Sequence, residues 1–155
     1  MLEICGLLNP MVRIGLIIMS MHVFTYGSLM FDRVWSKVIG SIYKKTGGRL
    51  YGYKRRKIRG EIYPALLPGT EADHVDGTIY LEVSLSDIKI LDEFEGEYYQ
   101  RDMLKCELAD GSRAEAAVYV FKEQYRDLIE DKEWEPLWFA EAAIRTFLTE
   151  YEGFG

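Results

Sequence analysis

The sequence predicts an α+β fold, a mostly antiparallel, barrel-like β-sheet flanked by helices. Three observations lead there. Runs rich in β-branched and aromatic residues, bounded by Gly, Pro or Asp-Gly, recur along much of the chain. Between and after them, a few segments repeat apolar residues at helical spacing instead. And 155 residues without a repeat, a low-complexity stretch or a linker suit one domain around one core.

Taken in order, the first strand is His22-Val23-Phe24-Thr25-Tyr26, stopping at Gly27-Ser28. Phe31, Val34, Trp35 and Val38 then predict a helix of about three turns. Gly47-Gly48 opens a strand-rich section over 49–58 and 61–67, the latter broken by Pro64 and closed by Pro68. Asp76-Gly77 precedes a strand over 78–83, with Ile79, Leu81 and Val83 on one face. Ser84-Leu85-Ser86-Asp87 fits a capping box and starts a helix reaching Phe94 or Glu95, with Gly96 as its stop. Strands over 99–108 and 113–121 follow, joined by the hairpin signal Ala109-Asp110-Gly111-Ser112. The last helix begins near Pro136, with Leu137, Ala140, Ile144, Phe147, Leu148 and Tyr151 as its apolar stripe. Trp134-Glu135-Pro136-Leu137-Trp138 reads either as a pocket closure or as a helix start packed on the barrel.

Residues 1–20 read as an extension to a domain spanning 21–155, with a short surface strand or helix as the alternative. Their apolar run, Ile14-Gly15-Leu16-Ile17-Ile18-Met19, is far shorter than the ~20 residues that span a bilayer. It also lacks the basic flank and small-residue cleavage site of a secretion signal. A chain beginning at Met21 is therefore expected to keep the stability of the whole, and no membrane partner is expected.

A net charge of −6 argues against a nucleic-acid partner, which needs a clustered basic surface. The basic run Lys54-Arg55-Arg56-Lys57, followed by Arg59, reads as a solvated strand edge guarded by charge. Cys5 and Cys106 match no redox or zinc spacing, and free thiols in a reducing cytoplasm are the expected state. His22 and His74 fit no metal-ligand pattern and no G-x-S-x-G serine, so no metal site is expected and neither is a serine triad.

Two places carry chemistry. On a helix advancing ~100° per residue, Leu85, Ile88, Ile90, Leu91 and Phe94 span one apolar arc, and Glu95 projects near its middle. Lys89 and Glu93 project away from it. Burial and the negative helix C-terminus would both raise the pKa of Glu95 toward the range useful for moving protons. The competing reading frays the helix at residue 94 and turns Glu95 to solvent or to Arg101. The second place is Thr25-Tyr26-Gly27-Ser28-Leu29, a strand running into a glycine turn and a helix, where successive backbone N–H groups can meet an anion. Its plainer reading is a tight turn with Ser28 capping the next helix.

Together, Val23-Phe24-Thr25-Tyr26-Gly27-Ser28-Leu29, Tyr63-Pro64-Ala65, and Leu91-Asp92-Glu93-Phe94-Glu95-Gly96 followed by Tyr99-Gln100-Arg101 resemble the γ-glutamylcyclotransferase-like superfamily. The closest flavour is the plant avirulence-induced-gene-like branch, over roughly residues 21–152. The resemblance implies a small mixed β-barrel with flanking helices. It implies that Tyr26, Gly27, Ser28 and Leu29 hold the carboxylate end of a γ-glutamyl group, that Glu95 is the proton acceptor, and that Tyr99 and Tyr119 line the pocket. The implied reaction cyclises a γ-glutamyl amine or amino acid to 5-oxoproline, releasing the amine, with no cofactor. A tethered α-amine attacks its own side-chain carbonyl, so the protein need only hold the cyclising conformation and supply one proton carrier. The alternatives are a non-catalytic module binding a small amino-carboxylate and an acyltransferase passing the γ-glutamyl group to an external amine.

Overall fold

The structure is a computed structural model describing residues 19–151. Strand β1 (Ser20–Thr25) is where its sheet closes. It pairs antiparallel with β5 (His74–Ser84), which pairs antiparallel with β2 (Lys45–Tyr51). Strand β2 continues to β6 (Tyr99–Leu108), and β6 forms an antiparallel hairpin with β7 (Arg113–Phe121). Strand β7 returns parallel to β1, with Val23 opposite Ala117, closing a mixed barrel in the order β1-β5-β2-β6-β7. A second sheet sets β3 (Tyr53–Ile58) between β4 (Pro64–Pro68) and β8 (Ile129–Glu133).

Strand β7 explains why a barrel results. Successive side chains point to opposite faces, and Ala116 through Phe121 are all buried, so both faces are covered. Ala116, Val118 and Val120 pack in the barrel with Phe24, Leu50 and Ile79. Ala117, Tyr119 and Phe121 belong to a second core under the helices, with Trp35, Leu91, Trp134 and Phe139.

Helix α2 (Leu85–Glu95) is as expected: the Ser84 side chain accepts the Asp87 N–H, and the Gly96 N–H closes the last turn on the Asp92 carbonyl at 3.1 Å. The hairpin at 109–112 is also as expected, with Asp110 Oδ1 accepting from the Ser112 N–H at 2.9 Å.

Elsewhere the structure departs from the sequence reading. Strand β1 begins at Ser20, which pairs with Ser84, so the boundary expected after residue 20 falls inside a strand. Residues 1–18, the remainder of that extension, lie outside the described residues, as does Cys5; Cys106 is a buried free thiol. The section 49–58 divides at Gly52 between two sheets. Strand β5 runs straight through Asp76-Gly77, where a Cβ on residue 77 would stand 2.1 Å from the Thr25 carbonyl oxygen. Bare backbone there lets β1 come close. The helix after the 26–29 turn is shorter than predicted: extended Phe31 separates one 3-10 turn (Ser28–Met30) from α1 (Asp32–Val38).

The basic run does not guard an edge. Strand β3 is central, and Lys54, Arg55 and Arg56 share a mixed-charge cavity of about 380 Å³ with Asp73, Asp76 and Glu133. The last helical run consists of α3 (Pro136–Trp138), a π-turn (Phe139–Ala143) and α4 (Ile144–Glu150). The π-turn shifts the buried face, so Phe139 and Ala143 pack inward while Leu137 is exposed.

Candidate active site

A cavity of about 400 Å³ lies where the end of β1, the C-terminus of α2 and the last turn of α4 converge. Every residue singled out for the site, Tyr26, Gly27, Ser28, Leu29, Glu95, Tyr99 and Tyr119, lines it.

The turn is held by its carbonyls. Tyr26 O accepts from Arg55 Nη1 at 2.8 Å, and Leu29 O accepts from the Tyr80 hydroxyl at 2.9 Å. Gly27 O and Ser28 O accept from the N–H groups of Met30 and Phe31 at 3.0 and 3.1 Å. Among the described residues, the N–H groups of Gly27, Ser28 and Leu29 have no acceptor. Consecutive free N–H groups with engaged carbonyls make an anion-binding concavity. The helix expected to assist is not placed to do so, since α1 begins only at Asp32 and carries that acid in its first turn. Ser28 caps nothing, and among the described residues its hydroxyl has no hydrogen-bond partner. Ser28→Ala should therefore change ligand affinity and turnover by less than about threefold, the scale of losing a weak neutral hydrogen bond. Abolished activity in a folded Ser28→Ala protein would contradict a backbone-only turn.

Glu95 closes the opposite wall. Ile88 and Leu91 bury the helix face beneath it, whereas Lys89 and Glu93 are exposed. The helix does not fray at residue 94, and Glu95 does not pair with Arg101. Arg101 is bidentate to Asp92, with Nε to Oδ1 at 3.0 Å and Nη2 to Oδ2 at 3.3 Å. The Tyr119 hydroxyl also donates to Asp92 Oδ1 at 2.6 Å. Among the described residues, nothing donates a hydrogen bond to the Glu95 carboxyl. Burial pushes its pKa up to about 8, and the negative charge of Asp92 one turn back adds to the shift.

Tyrosines complete the inner wall with their protons already committed. The Tyr26 hydroxyl donates to Tyr119 O at 2.5 Å, and the Tyr99 hydroxyl donates to Pro64 O at 2.7 Å. Burial holds the Tyr26, Tyr99 and Tyr119 phenols neutral, and the Glu95 charge reinforces this. The wall is thus rigid and uncharged, leaving Glu95 as the titrating group within it.

Sequence reasoning missed the outer wall. Phe94 meets Phe147 and Tyr151 edge-on, with ring centroids 5.9 and 5.6 Å apart, and Glu150 stands at the rim. Phe147 and Tyr151 read only as core positions of a helical stripe, and no spacing ties them to residue 95. Of the two readings of the 134–138 stretch, the structure has the packed helix start and not the pocket closure: a helix begins at Pro136, and Trp134 is buried in the core, donating to Ile62 O at 2.8 Å. Among the described residues, no three His, Cys, Asp or Glu side chains are grouped to hold a metal ion, and no helix is long and apolar enough to cross a membrane.

One small barrel-side cavity thus brings together a carboxyl of raised pKa and a turn whose N–H groups have no acceptor among the described residues. The sequence model of the family described as gamma-glutamyl cyclotransferase, AIG2-like matches residues 23–136, and the chain belongs to that family. AIG2-like protein D of Arabidopsis thaliana is 35% identical over 94 residues, covering 60% of this chain and 61% of that protein. The chain thus spans about three fifths of that relative's length. Among solved structures, At5g39720.1 of Arabidopsis thaliana aligns with TM-score 0.64 and 23% identity over 83% of this chain and 86% of that one. A gamma-glutamyl cyclotransferase aligns with TM-score 0.60 and 15% identity over 87% and 89% of the two chains. These likenesses establish the fold, the mixed barrel with flanking helices.

Proposed function

We propose that this protein is a cytoplasmic γ-glutamylcyclotransferase that converts a γ-glutamyl amine or γ-glutamyl amino acid to 5-oxoproline and the free amine. The observation that carries the reading is Glu95, a carboxyl raised to about 8 and without a hydrogen-bond donor among the described residues, in one cavity with the N–H groups of residues 27–29, which among those residues have no acceptor. The turn binds the substrate α-carboxylate. The α-ammonium then sits near Glu95, and its positive charge pulls the carboxyl back toward ionisation. Ionised Glu95 takes one ammonium proton. The freed amine attacks the γ-carbonyl, forming the ring C–N bond; Glu95 returns its proton to the departing nitrogen as that C–N bond breaks, and the second proton left on the ring nitrogen passes to the released amine, giving 5-oxoproline and an ammonium ion. Tyr26, Tyr99 and Tyr119 keep the inner wall uncharged, so Glu95 is the acid/base group at the inner end, with Glu150 standing out at the rim.

Incubation with a panel of γ-glutamyl dipeptides and γ-glutamyl amines, with mass detection of 5-oxoproline, tests this. At least one member should yield 5-oxoproline and amine in equal amounts; tight binding of the panel without turnover would favour a binding module instead. The pH dependence gives a second expectation. Only ionised Glu95 accepts a proton, so kcat/KM should rise with pH to a plateau, with its midpoint near 8. A midpoint at ordinary carboxylate pH would contradict a base of raised pKa.

A further inference from the structure

We propose that Arg55 is a positioning residue for the anion-binding turn, fixing the peptide between Tyr26 and Gly27 so that the Gly27 N–H faces the cavity. The inference rests on reading that turn as the holder of the substrate α-carboxylate. In a trans peptide the C=O and the following N–H point in opposite directions. The structure contains no cis peptide among the described residues, and the Tyr26 carbonyl is turned to Arg55 Nη1 at 2.8 Å. The Gly27 N–H is therefore directed away from Arg55. On its other side Gly27 lies against Pro64, whose ring carbons would stand 2.7 and 2.9 Å from a Cβ there. The peptide is fixed between a guanidinium and a proline ring.

The use made of this arginine is unusual. Its Nε is buried with no acceptor, and its guanidinium carbon lies 5.5 Å from the centroid of the buried Trp134 ring. Among the described residues no carboxylate stands within 4.0 Å of it, and its other acceptor is the Asp76 carbonyl at 3.4 Å. Arg55 is half-buried, with its Nε sealed off and the mixed-charge cavity of Asp76 and Glu133 on its outer side, and it places a cation directly behind the turn. That charge polarises the peptide it holds, strengthening the N–H on the far side as a donor to an anion. Strand β3 thus contributes to the site from outside the cavity, because Arg55 is not among the residues lining it.

The test uses two probes differing only at the group concerned, 5-oxo-L-proline and its primary amide 5-oxo-L-prolinamide, titrated into the whole chain and read by backbone-amide NMR. Wild-type protein should prefer the acid by about tenfold or more, the scale of a charge-assisted contact. Arg55→Met should reduce that preference to about twofold while leaving affinity for the amide nearly unchanged, and Arg55→Lys should retain an intermediate preference. A purely structural role would weaken both probes alike, and either that result or a full preference in Arg55→Met would overturn the proposal. Should Arg55→Met fail to fold, Arg55→Lys decides, since an undiminished preference there would overturn a role for the Nη1 contact to the Tyr26 carbonyl. A wild-type protein indifferent to the carboxylate would overturn the turn's role and Arg55's with it. Binding needs no turnover, so these outcomes stay separate from the fate of the cyclisation chemistry.

Discussion

Glu95→Gln should lower turnover by about 10²-fold or more, the usual scale for removing a general acid/base. The amide preserves the shape of the side chain but cannot accept an ammonium proton at neutral pH. Ligand binding should persist, since the N–H groups of residues 27–29 are untouched. Stability should hold or rise, because the substitution removes a charge that burial and Asp92 both disfavour. The sign with pH follows from the raised pKa. Below the ordinary value of 4.5 the carboxyl is protonated in folded and unfolded chains alike, and Gln and Glu should differ little. As pH rises from there through about 8, the unfolded chain gives up the proton first and wild type loses stability relative to Glu95→Gln; above about 8 the gap should stay constant. Glu93→Gln, on the exposed side of α2, is the matched control and should alter neither quantity. A Glu95→Gln protein with wild-type turnover, or a stability gap that opens in the opposite direction, would remove Glu95 from the mechanism.

Gly27→Val should be the most damaging change on the binding side. The constraint on Gly27 is steric. Gly27 has negative φ, and the conflict is with the Pro64 ring, whose Cδ and Cγ would lie 2.7 and 2.9 Å from any Cβ. A proline ring cannot swing aside, and its carbonyl also receives the Tyr99 hydroxyl. Valine must therefore push the turn into the cavity or β4 away from it. Overpacking of this kind costs about 1–3 kcal/mol, which should lower Tm by several degrees. Displaced N–H groups should cost more than tenfold in affinity for a carboxylate ligand, since each charge-assisted hydrogen bond contributes ~1.5–3 kcal/mol. Calorimetry and thermal melts on the same sample measure both. Unchanged affinity in a folded Gly27→Val protein would place the carboxylate elsewhere.

The inner half of this site was legible because local signals coincide there. The Ser84 cap and the Gly96 stop set the phase of α2, and that phase directs Glu95 into the apolar arc rather than to solvent. The Tyr26-Gly27-Ser28-Leu29 turn was legible as a break between a strand and helical spacing. What surrounds them was not. Arg55 belonged to a run of cations that local reasoning assigns to a solvated edge, and only the pairing of β8 against β3 makes that strand central. Strand β8, Ile-Glu-Asp-Lys-Glu, has no alternation to betray it, since its stability comes from its neighbour. The outer wall of Phe147, Glu150 and Tyr151 depends on a π-turn that shifts the helix register, which a strict 3.6-residue period cannot anticipate. Arg101 and Asp92 show the opposite error. Arg101 was a reasonable partner for Glu95 by sequence distance, yet it pairs with the acid one turn earlier, and among the described residues Glu95 has no cation partner.

The most direct test follows the substrate's own nitrogen. A γ-glutamyl amide labelled with ¹⁵N at the α-amine, chosen from whichever panel member is turned over, is incubated with the protein alone and then with a large excess of an unlabelled second amine. Intramolecular cyclisation predicts 5-oxoproline retaining all of the label, with the original amine released in equal amount and the yield indifferent to the second amine. Labelled glutamate, or a labelled γ-glutamyl derivative of the added amine in place of 5-oxoproline, would contradict the cyclotransferase account.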